Sequence, residues 1–107
     1  MAAWEDAFDS LGPEGEQIKA DFETAFTSIK GDMSTFLVAE ADRVKGWLDL
    51  LDQGEISKRT IGTLMENEKV LIQQHVLKNT AESVAATEKA AGQLMIAAID
   101  KLIDHVL

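Results

Sequence analysis

Residues 18–51 read IKADFETAFTSIKGDMSTFLVAEADRVKGWLDLL. Apolar side chains fall at Ile18, Phe22, Phe26, Ile29, Met33, Phe36, Leu37, Val44, Trp47, Leu48 and Leu51. Spacings of three and four residues place them along one side of a helix about nine turns long. Pro13 suits the first turn, where its missing N–H costs nothing, and Glu14 and Glu16 favour the positive end of the helix dipole. Gly31 and Gly46 fall opposite the stripe, so the pattern predicts one long helix over about 13–52, with a break at Gly31 as the alternative.

Upstream, Trp4, Phe8 and Leu11 recur at i, i+4 and i+7, which predicts a short amphipathic helix over about 2–11, ended by Gly12. Downstream, Asp52-Gln53-Gly54-Glu55 carries a glycine able to end a helix left-handed, and Ser57 is a suitable N-cap. A turn over 53–56 therefore joins the first long helix to a second over about 57–107, and so short a connection makes them antiparallel. The second span holds two stripes. Ile61, Leu64, Met65, Leu71, Ile72 and Val76 form one, and Leu94 to Val106 the other. On one ideal helix they point to nearly opposite sides, so the helix is expected to bend or break near Lys78-Asn79-Thr80, or its two halves to face different neighbours. The small residues between the stripes, among them Ala90, Ala91 and Gly92, would let another helix come close.

The fold expected is all-α: an antiparallel hairpin of two long helices with a short helix before it, in one domain. In such a hairpin residue 94 lies opposite residue 13, so the most apolar segment overhangs its partner. Leu94, Met95, Ile96, Ile99, Leu102, Ile103 and Val106, with Trp4 and Phe8, then become candidate interface residues. A homodimer forming a four-helix bundle is the simplest cover.

The net charge is −9, and residues 1–55 hold 13 acids against 4 bases, which accounts for all of it. Such a field repels nucleic acid and anionic lipid and attracts a basic protein partner. Nucleic-acid binding lacks a basic face, and the longest apolar run is too short to span a bilayer. There is no Cys, which rules out disulfides and thiolate metal sites. The first residues have no basic start with an apolar core, and a cytoplasmic location is expected.

No catalytic motif and no cofactor-binding motif is found. Glycine-rich phosphate loops, His-Glu-x-x-His and EF-hand spacings are missing, and the residues three before His75 and His105 are Ile72 and Leu102, not Glu. The Trp-x-Gly of the small WXG hairpins is missing too, since Trp47 precedes Leu48 and Asp49. One polar layer stands out. Glu40 interrupts the first stripe and Glu68 the second, and the hairpin register sets them opposite one another, with His75 two turns beyond. Glu40, Glu68 and His75 are the weak candidates for metal ligation; pairing of the two carboxylates with Arg43 and Lys69, as a register-fixing layer, is the favoured expectation. On these grounds the chain reads as a non-enzymatic, self-assembling helical adaptor. The alternative is an acidic inhibitor, immunity protein or chaperone that masks a basic partner, with a carboxylate metal bundle behind it.

Overall fold

The structure is a computed structural model and describes residues 4–29, 35–78 and 86–107. Four α-helices carry the fold: α1 (Pro13–Ser28), α2 (Thr35–Asp52), α3 (Lys58–Gln73) and α4 (Ala86–Val106), with a 3-10 helix over Trp4–Leu11. Every regular element among the described residues is helical.

The sequence sets the element ends. Gly12 takes φ +80, a left-handed conformation that costs glycine little, and Pro13 opens α1 behind it. Gly54, at φ +76, closes α2 in the same way, and Ser57 caps α3 by accepting a hydrogen bond from Thr60 N at 3.1 Å. The single long helix expected over about 13–52 is not formed. α1 stops at Ser28, Ile29 is extended (φ −89, ψ 113), and α2 begins at Thr35. Thr27, Ser28 and Ile29 are weak helix formers, and the Thr24 and Ser28 hydroxyls already turn back on the carbonyls of Ala20 and Thr24. Gly31, the alternative break point, lies outside the described residues. The apolar stripe survives because each piece keeps its own buried face: Ile18, Phe22 and Ala25 on α1, Leu37, Ala41, Val44 and Leu48 on α2.

The second long helix is likewise two. α3 passes into one π-helical turn at Gln74–Lys78, and α4 runs back along α3. A Cβ on Gly62 would lie 2.7 Å from Leu107 Cγ, and one on Gly92 would overlap Val76, so the start of each helix meets the end of the other. Lys69 pairs with Asp100 midway. The bend expected near Asn79 falls outside the described residues. The close approach expected of the small residues is seen at Ala91 and Gly92, both buried.

α4 also packs on α1, where Lys101 meets Asp21 at 2.7 Å and His105 meets Glu14 at 3.4 Å, again antiparallel. α2 packs on α3 across the Gly54 turn, and the 3-10 helix lies against both α1 and α2. The result is an up-down-up-down bundle within one chain, about 41 × 26 × 22 Å, with the 3-10 helix completing the side between α1 and α2. Its core runs from Phe8 and Phe22 through Val44, Leu48, Ile61 and Met65 to Met95, Ile99 and Leu102.

This topology corrects the premise of the overhang. Met95, Ile99 and Leu102 are fully buried, and Phe8 nearly so, all within one chain. Ile96, Ile103, Val106 and Trp4 are partly buried against the same core, and Leu94, at 40% exposed, is the most open of the set. An apolar stripe that lacked a partner in a two-helix hairpin finds two, α1 and α3, once each long helix folds back.

Candidate functional site

α2 presents Phe36, Glu40, Arg43 and Trp47 to α3 at intervals of four, three and four, a single stripe along one helical face. α3 answers with Glu68, and two turns on, in the π-helical turn that follows α3, stands His75. Glu40 is 1% exposed and Glu68 5%, so two carboxyl groups sit inside the α2–α3 seam. Arg43 reaches in from a half-exposed position, and its Nη1 donates to Glu40 Oε1 at 2.8 Å and to Glu68 Oε1 at 3.4 Å. Trp47 Nε1 donates to Glu68 Oε2 at 3.0 Å. One guanidinium and one indole therefore serve two buried carboxyls.

The bonding is uneven. Glu68 has a partner on each oxygen, whereas Glu40 Oε2 is buried and accepts from no donor. What stands beside Glu40 is the Glu68 carboxyl, itself an acceptor, and an oxygen of each lies on the same Arg43 nitrogen. Two carboxyls can bond to each other only across a shared proton. Burial, then the hydrogen bond and negative charge of Glu68, push Glu40 up from 4.5 to about 8, against the pull of Arg43. At neutral pH Glu40 is thus held as the neutral carboxylic acid within the seam.

His75 is not part of this group. Its Nε2 lies 2.6 Å from Glu88 Oε2 on α4, and its ring stacks on Phe36 with centroids 4.5 Å apart. Among the described residues no three His, Asp or Glu side chains come close enough to hold one metal ion. Arg43 supplies a positive charge between Glu40 and Glu68. Lys69, the other base expected to pair with them, goes to Asp100 on α4 instead.

Two members of this arrangement escape a reading of sequence alone. Trp47 looks like a simple core anchor, yet its N–H is a designated donor; the i, i+7 spacing from Glu40 is the available signal. Glu88 becomes visible only when α4 is folded back on α3, which no local pattern announces. No family model, curated protein or solved structure matches the chain.

Proposed function

We propose that this chain is a non-enzymatic interaction protein that binds a basic protein partner through the acidic surface of its first half. The observation that carries the reading is that, among the described residues there, most acids are exposed while the bases are already engaged. Glu5, Asp6 and Asp9 on the 3-10 helix, Glu23 on α1, Asp42 and Asp52 on α2 and Glu55 in the turn are all exposed. Lys19 pairs with Glu16, Arg43 with the buried carboxyls, and Lys45 lies 4.8 Å above the Phe26 ring. Among the described residues the charge of this half that faces solvent is therefore mostly negative, which steers and orients a cationic surface.

Self-assembly through the C-terminal apolar segment loses its support, because that segment is covered by the chain's own helices. A carboxylate metal centre is disfavoured by Arg43, which stands where a cation would. Among the described residues no helix is long and apolar enough to cross a membrane.

The test is a capture experiment in the source cell's extract at two salt concentrations, repeated with Asp6→Lys and Asp9→Lys combined. A basic protein retained at low salt, released at high salt and lost with the variant is the expected result. Retention indifferent to salt and to the variant, or no basic protein retained, contradicts the reading.

A further inference from the structure

The interior of the α2–α3 seam does more than fix register. Its two carboxyls share one guanidinium nitrogen, and the fourth carboxyl oxygen, Glu40 Oε2, has no donor. Two buried carboxyls beside one guanidinium are one positive charge short, so a hydrogen retained by the pair is a structural part of the seam, as much as a side chain would be. The groove lined by Arg43, Gly46, Trp47 and Leu50 opens directly outside, so the pair lies one side chain from solvent.

We infer that the α2–α3 seam is a proton-operated latch: one hydrogen held between Glu40 and Glu68 keeps it closed, and losing that hydrogen opens it at Arg43 and Trp47. The hydrogen passes to a base in solvent, and two buried carboxylates are left facing one guanidinium. Mutual repulsion at short range, in a site with little water, then favours separation of the helices over retention. Arg43 is half-exposed and Trp47 half-buried, so the seam gives way there first.

The charged surroundings leave this pair in control. On α2, Arg43 faces it, whereas Asp42 is exposed and Lys45 is turned onto Phe26. On α3, Glu68 faces it and Lys69 is turned to Asp100, and in the π-helical turn beyond, His75 is held against Glu88 and Phe36. On the 3-10 helix, the other neighbour of α2, Glu5, Asp6 and Asp9 point to solvent.

The test follows the Trp47 indole N–H by NMR in the full chain from pH 6 to 9.5, assigned with Trp47→Phe. The resonance is expected to shift with a midpoint near 8, the value for Glu40, and amide exchange in α2 and α3 to quicken beyond the base-catalysed trend over the same range. Glu40→Gln, which keeps a donor and cannot ionise, abolishes both changes. Glu68→Gln removes the opposing charge and moves the midpoint down. An indole signal that is flat across this range in wild type, or a transition unchanged in either variant that folds, overturns the latch.

Discussion

At the scale of single residues, the account depends on which groups have a partner and which have none. Glu40 has a folded pKa raised to about 8 from 4.5, and the sign of its effect on stability follows. Its favourable contribution is complete below 4.5, because both folded and unfolded forms are then protonated. It declines as the unfolded carboxyl ionises, and it is lost as pH rises through 8. Thermal unfolding followed by circular dichroism between pH 5 and 9 is expected to show wild type losing stability on the order of a few kcal/mol. Glu40→Gln is expected to hold nearly constant over that window; parallel curves for the two would contradict the assignment. Trp47→Phe keeps the ring but strands Glu68 Oε2, and a loss of about 1–3 kcal/mol in denaturant titration is expected. Gly15 faces a different constraint. A Cβ there would overlap the Phe8 carbonyl oxygen, a backbone atom that cannot rotate away. Gly15→Ala is therefore expected to cost about 1–3 kcal/mol by the same titration, as overpacking does, and to loosen the 3-10 helix from α1.

At the scale of elements, local chemistry was readable where it acts locally. Pro13, Gly54 and Ser57 each mark an end that the structure keeps, and Ser57→Ala is expected to cost about 1 kcal/mol by removing the bond to Thr60 N. Helical character was legible throughout, from apolar spacing and the scarcity of turn residues. The two reversals that convert a hairpin into a four-helix bundle were not. Ile29 leaves the helix without disturbing the spacing of the stripe, since Ile18 to Phe26 and Phe36 to Leu51 each read as one face whether or not they are collinear. Periodicity reports which face is buried and says nothing of direction. In the second half the conflict between the two stripes was visible, with a bend or break near Asn79 and two neighbours as the two solutions; the span is in fact two helices, α3 and α4, packed on each other, with α1 also on α4. The Glu40–Glu68 meeting was readable because it depends only on the short Gly54 turn. The His75–Glu88 contact was not, because it depends on α4 folding back.

At the scale of the whole molecule, closing the bundle within one chain changes what the surface is for. A two-helix hairpin would have needed a second copy to bury Met95, Ile99 and Leu102, and its acidic half would have been secondary. Here those residues lie inside, and the charge that faces solvent on the 3-10 helix, α1 and α2 is chiefly acidic among the described residues. The same distribution explains why α4 can be the most apolar helix without requiring an external partner: α1 and α3 flank it. The most direct test of this closure is the mass in solution, by light scattering coupled to size exclusion at micromolar concentration and two salt concentrations. The mass expected is 11.7 kDa in both. Twice that mass in both salts, falling to the single-chain value when Met95 or Ile99 is made polar while helicity is kept, would contradict it.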